Sequence, residues 1–112
     1  MFKKDCIKSM YHPLKSFEGI YEISTNGKIR NKEKVNMKFF ESNDKYLRVT
    51  LVKNGKQSNY YVHRLVCIQF INRVAGKTQV NHKDLDRQNN KVNNLEWCTP
   101  EYNSNHRGNS NI

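Results

Sequence analysis

A chain of 112 residues with 36% apolar residues can close one thin core, and 20 Lys and Arg against 10 Asp and Glu leave it at +10. That charge and a pI near 9.7 point to a polyanionic partner, nucleic acid before anionic membrane, since no long basic amphipathic helix is visible. No run approaches the roughly 18 apolar residues of a membrane span, and the first residues lack the apolar stretch of a signal peptide. A soluble cytoplasmic protein with no membrane partner and no small-molecule substrate is expected. Cys6, Cys67 and Cys98 form no C-x-x-C pair, which argues against a disulfide framework and a thiolate zinc site. Cys67 and Cys98 sit in apolar runs and read as small core residues.

Met1 to Leu14 shows no period, and Pro13 after His12 suggests an extended lead-in. From Phe17 the text is FEGIYEISTNGKIRN, in which Tyr21 and Ile23 alternate with Glu22 and Ser24 and Asn26-Gly27 marks a tight turn. Lys28, Arg30, Lys32 and Lys34 stud the strand that leaves it. A second hairpin follows. Leu47, Val49 and Leu51 share one face, Asn54-Gly55 turns the chain, and Gln57 to Val62 returns with Tyr60 and Val62 opposite Tyr61. His63 to Ile71 is too apolar for a surface helix and too long for an ordinary strand, so a mostly buried helix is predicted there, then a loop over Asn72 to Lys77.

The stretch from Val80 to Asn103, VNHKDLDRQNNKVNNLEWCTPEYN, carries the chemistry. Val80-Asn81-His82 ends a short strand, a polar loop follows, and Val92 to Trp97 holds the next strand with Leu95 and Trp97 on one face. Thr99-Pro100-Glu101 has the cap, the first-turn proline and the acid of a helix start, with the helix expected to run to about Arg107. A histidine with amide ligands on strand, loop and helix suits a single hard cation acting on a phosphodiester. The chain has sixteen asparagines, so an isolated one reads as a turn or cap residue. Asn94 and Asn103 differ from such residues in their joint order with His82, Leu95-Glu96-Trp97 and Thr99-Pro100. His63 reads as a hydrogen-bonded structural histidine and Trp97 as core. A three-histidine zinc site from His63, His82 and His106 is a weaker alternative.

VHRLVCIQFI followed by VNHKDLDRQNNKVNNLEWCTPEYN resembles the HNH nucleases of the ββα-metal, or His-Me finger, fold, in particular the small phage and homing-endonuclease type. FEGIYEISTNGKIRN is similar to the small modular domain that often precedes such units. The resemblance implies an α+β protein with an N-terminal β-hairpin, DNA-contacting module over 1–45 and a ββα-metal nuclease domain over 46–112. It implies that His82 is the general base, Asn94 orients its imidazole through a carbonyl, and Asn81 and Asn103 hold one divalent ion, Mg²⁺ or Mn²⁺. Many relatives carry aspartate where Asn81 stands, so the ligand set brings no formal charge, and Asp84 is a candidate to supply some through water.

The expected substrate is double-stranded DNA, hydrolysed to a 5′-phosphate and a 3′-hydroxyl, in the cytoplasm of a bacterium hosting a phage or mobile element. Lys28, Arg30, Lys32, Arg48, Lys53, Lys56 and Arg107 are the candidate DNA contacts, and His106, Asp84 and His63 the candidate supports of the site. The chain ends soon after Asn103, whereas larger homing enzymes add a helical DNA-reading module there, so weak sequence preference is expected, or specificity borrowed from a partner or from the basic N-terminal hairpin. A DNA-binding protein that keeps this fold without catalysis is the alternative, and the oligomeric state stays open.

Overall fold

The computed structural model describes residues 11–102. Asn103, His106, Arg107 and Cys6 lie outside the described residues. Among the described residues, two three-stranded antiparallel sheets, a nine-residue helix and a two-stranded ribbon follow in order, with a helix start after the ribbon. The first sheet has the order β1 (Tyr11–Pro13), β2 (Tyr21–Ser24), β3 (Ile29–Asn31), with Tyr21 opposite Asn31 and Ile23 opposite Ile29. Of the expected extended lead-in, residues 1–10 lie outside the described residues, and Tyr11–Pro13 is a paired edge strand, Tyr11 opposite Ser24, where Pro13 can sit because an edge needs no donor.

The second sheet has the order β4 (Phe40–Glu41), β5 (Leu47–Lys53), β6 (Lys56–Tyr61). Asn54 and Gly55 both have positive φ, 54° and 75°. That is the signature of a type I′ turn, whose twist matches the strands it joins. The predicted face is the buried one, with Val49 and Leu51 closed to solvent. Residue two-periodicity ends at Tyr61, and the chain passes straight into α1 (Val62–Phe70), one residue earlier than the pattern suggested at both ends. Of its residues only Ile68 is open to solvent.

After the loop, β7 (Gln79–His82) pairs antiparallel with β8 (Leu95–Cys98), Val80 opposite Trp97 and His82 opposite Leu95. A 3₁₀ turn at Val92–Asn94 leads into β8, so the second ribbon strand starts three residues later than Val92. Residues 100–102 are helical, and the Tyr102 N–H donates to Thr99 Oγ1 at 3.1 Å, the cap expected of Thr99. Among the described residues no helix is long and apolar enough to cross a membrane.

One core joins all of these elements. Leu14, Phe17, Tyr21, Ile23 and Ile29 from the first sheet meet Val49, Leu51, Val62, Val66 and Cys67, and the cluster continues through Val80, Leu95 and Trp97. Polar links seal the seam. The Tyr21 hydroxyl accepts the Val52 N–H at 3.0 Å. Gln69 on α1 takes the Lys15 N–H at 2.9 Å and donates to the Pro13 carbonyl at 3.1 Å. Trp97 Nε1 donates to the Ile71 carbonyl at 3.1 Å, tying β8 to the end of α1.

Candidate active site

His82 closes β7 and is buried, 5% exposed. Its Nε2 lies 2.8 Å from Asn90 Oδ1. An amide oxygen can only accept, so the ring proton sits on Nε2 and Nδ1 keeps its lone pair. Desolvation lowers the His82 pKa, and the Asn90 bond opposes that shift in part. Burial therefore favours the neutral ring.

The oxygen on the ring belongs to Asn90 and not to Asn94, where the family resemblance had placed it. Asn94 is spent elsewhere: its Oδ1 accepts the Asp84 N–H at 3.1 Å, and its Nδ2 donates to Asp84 Oδ1 at 3.0 Å and to the Asn89 carbonyl at 2.9 Å. Its backbone carbonyl takes the Lys83 N–H at 2.8 Å. The loop is stitched together by Asx bonds, which curl it so that Asn90, eight residues past His82, returns over the ring. Asp84 belongs to that stitching. The Asn89 amide bond and the Asp86 N–H hold its carboxyl below the usual range, and its charge reaches His82 only through space.

Asn81, 2% exposed, faces Glu96 across the ribbon, and its Nδ2 donates to Glu96 Oε2 at 2.8 Å. Glu96 is a carboxylate next to the expected ligand that sequence reasoning did not pick out. The signal was there in the antiparallel pairing of VNH with LEW, which sets residue 81 opposite residue 96.

His63, at the start of α1, is 7% exposed and its ring stands 5.1 Å from that of His82. Tyr46 lies 4.8 Å from His63 and 5.6 Å from His82, and Tyr61 lies 5.1 Å from His63. The expected hydrogen bonding of His63 is incomplete, since Nδ1 is buried with no partner. Burial, then the neighbouring His82 charge, pushes its pKa down to about 3. Asp44 rims the same recess, held down to about 2 by the Ser42 hydroxyl and then by the Tyr61 hydroxyl. Tyr46 and Arg87, which lies over Tyr46 at 5.2 Å and donates to the Asp44 carbonyl at 2.8 Å, are further site residues that no spacing pointed to.

The basic residues divide into two groups. Lys28, Lys32 and Lys56 are exposed. Arg30 is paired with Glu22 at 2.6 Å and lies 3.7 Å over the Tyr11 ring. Arg48 lies over Tyr61 with Nε buried and unpartnered, and Lys53 donates to the Ser16 carbonyl. Among the described residues no group of three or more His, Cys, Asp or Glu gathers as a metal cluster.

Residues 60–105 match the HNH endonuclease family, and residues 11–66 match the NUMOD4 motif. Curated relatives include an uncharacterized HNH endonuclease of Acanthamoeba polyphaga mimivirus, L245, 42% identical over 86 residues, covering 77% of this chain and 26% of the relative. Another is the DNA endonuclease I-HmuI of Bacillus phage SP01, 36% identical over 91 residues, covering 80% of this chain and 52% of the relative. The chain thus spans about a quarter to about half the length of these relatives. A solved structure that describes DNA binding and cleavage by the HNH homing endonuclease I-HmuI superposes with a TM-score of 0.81 at 33% identity, over 92% of this chain and 60% of that one. The His82 ribbon and the hairpins that lead into it accordingly make up an HNH endonuclease domain over residues 60–105, preceded by a NUMOD4 motif over residues 11–66.

Proposed function

We propose that the chain is a metal-dependent DNA endonuclease in which His82 is the general base. The observation that carries this is a buried imidazole, fixed at Nε2 by an amide oxygen, beside an asparagine whose amide nitrogen is already engaged. DNA as the substrate class is supported by relatives named as DNA and homing endonucleases.

His82 Nδ1 takes the proton of a water whose oxygen attacks phosphorus, the P–O3′ bond breaks, and the departing O3′ takes a proton from a second solvent water, leaving a 5′-phosphate and a 3′-hydroxyl. The donor set fits a hard cation, because Glu96 occupies Asn81 Nδ2 and leaves the amide oxygen as the ligand atom. Asn81, together with Asn103, would hold Mg²⁺ or Mn²⁺. When bound, that ion neutralises phosphate charge and stabilises the leaving oxygen. Asn94 serves by closing the loop that carries Asn90. Lys28, Lys32 and Lys56, exposed and without ion pairs among the described residues, are the phosphate contacts on the hairpin modules, with Arg107 as a contact near the cut. The setting is the cytoplasm of a host cell.

Plasmid relaxation with Mg²⁺, with Mn²⁺ and with EDTA tests the proposal. Nicking that needs the metal supports it. DNA binding without any nicking in all three makes the fold a DNA-binding scaffold instead.

A further inference from the structure

The turn between β2 and β3 reaches into the loop behind His82. The Thr25 carbonyl accepts the Val92 N–H at 2.9 Å. Gly27, at φ 83°, stands so close to Asn90 that a Cβ on it would meet the Asn90 carbonyl oxygen at 2.6 Å, its carbon at 3.0 Å and its Cβ at 3.1 Å. The first two are backbone atoms and the third is fixed directly to the backbone, so none can swing aside as a flexible side-chain end can. Asn90 itself is 5% exposed, and its Nδ2 is buried with no partner among the described residues. Its side-chain oxygen bonds His82.

We propose that Asn90 is the positioning residue for the His82 imidazole and that the NUMOD4 hairpin turn, Thr25 to Gly27, is the buttress that sets Asn90. The N-terminal hairpin then belongs to the active-site scaffold as well as to any DNA surface. This rests on His82 being the base, and it adds a second element, remote in sequence, on which that base depends.

The physical need is plain. A histidine base must present one nitrogen, with its lone pair, along one direction. The Asn90 oxygen selects the Nε2–H tautomer and stops the ring from rotating, as the partner of a ligating or catalytic histidine commonly does. An oxygen on a loose loop would do neither. Here the Asn90 backbone is gripped on one side by the Gly27 contact and, two residues on, by the Val92–Thr25 bond. Glycine at 27 answers to two demands at once, a left-handed φ and the absence of a Cβ against Asn90. Gly19 has the same φ of 83° and no atom within 4 Å, so it isolates the backbone strain from the contact.

The test uses the full chain and two readouts. The first is ¹⁵N NMR of histidine side chains in solution alkaline enough to keep the rings neutral, with the His82 signals assigned by comparison with His82→Gln. Wild type is expected to carry its proton on Nε2, Asn90→Asp to keep it there through a carboxylate oxygen, and Asn90→Ala to relax to a mixture. The second is the split between kcat and KM in DNA nicking. Asn90→Ala should lower kcat by about 10- to 100-fold with KM for DNA unchanged. Gly27→Ala should lower kcat in the same way, since a misplacement on the order of 1 Å can cost roughly a hundredfold, and Gly19→Ala should leave kcat alone.

An Nδ1–H tautomer in wild type overturns the proposal without any variant, which matters if Asn90→Ala does not fold. Folded Asn90→Ala and Gly27→Ala proteins with wild-type kcat and tautomer overturn it as well. Should wild type not cleave at all, the nuclease reading fails on that ground, while the NMR arm still decides whether Asn90 and its buttress set the imidazole.

Discussion

Burying His63 neutral makes the fold sensitive to acid in a calculable way. In the unfolded chain His63 titrates at its ordinary 6.5, whereas burial and then the His82 charge hold it near 3 in the folded protein. As pH falls below 6.5 the unfolded chain gains a proton that the folded one refuses, so stability is fully present above that value and drains away toward 3. Between about pH 7 and about pH 5 the loss from this one group is about 2 kcal/mol, taking roughly 1.4 kcal/mol per unit of pH once the unfolded histidine is protonated. The perturbation is His63→Phe, which keeps an aromatic ring against Tyr46, Tyr61 and His82 and removes an Nδ1 that has no partner to lose. The assay is urea unfolding of both proteins at the two pH values. Wild type should lose about 2 kcal/mol more than the variant on acidification, the contribution of His82 being common to both. Equal losses in the two proteins would refute the reasoning.

Three further outcomes follow from the same contacts. Glu96→Ala frees the Asn81 amide and should raise the Mn²⁺ concentration for half-maximal nicking by about 10- to 100-fold, with an unchanged titration showing that Asn81 is not held through Glu96. Affinity for duplex DNA should fall steeply with salt, and replacing Lys28, Lys32 or Lys56 by Ala should each reduce the slope of log K against log salt by roughly 0.9, whereas a flat salt titration contradicts a phosphate-held complex. Leu51→Ala, at a side chain 1% exposed in the shared core, should cost about 2–5 kcal/mol in urea unfolding, with both sheets melting together.

Much of the fold was legible because its signals are local. Asn54-Gly55 demands the positive φ of a I′ turn, and alternation on either side says which face is buried. Thr99 announces a helix start through a hydroxyl three residues from the N–H it caps. The third strand of each sheet was harder. Tyr11–Pro13 and Phe40–Glu41 are too short to show a period, and their pairing is decided by the partner strand. In the site, His82 and Asn81 stand out in the motif and Glu96 follows from the pairing of the two ribbon strands, but the Asn90 partner of His82 does not. Asn90 reaches His82 only because the loop closes on its own Asx bonds, and among sixteen asparagines nothing in the sequence marks it. The Tyr46, His63 and His82 rings come from β5's approach, α1 and β7, and they meet only after the core has formed. The Gly27 contact with Asn90 is of the same kind, since the turn alone already accounts for a glycine there.

The central claim is that His82 does the chemistry, and plasmid nicking by His82→Ala beside wild type, in Mg²⁺ or Mn²⁺, tests it most directly. The variant is first shown to fold and to bind DNA with wild-type affinity. Loss of nicking with binding intact is the predicted result, at roughly the 10²- to 10⁴-fold expected for removal of a general base. Metal-dependent nicking at the wild-type rate in His82→Ala would contradict the account.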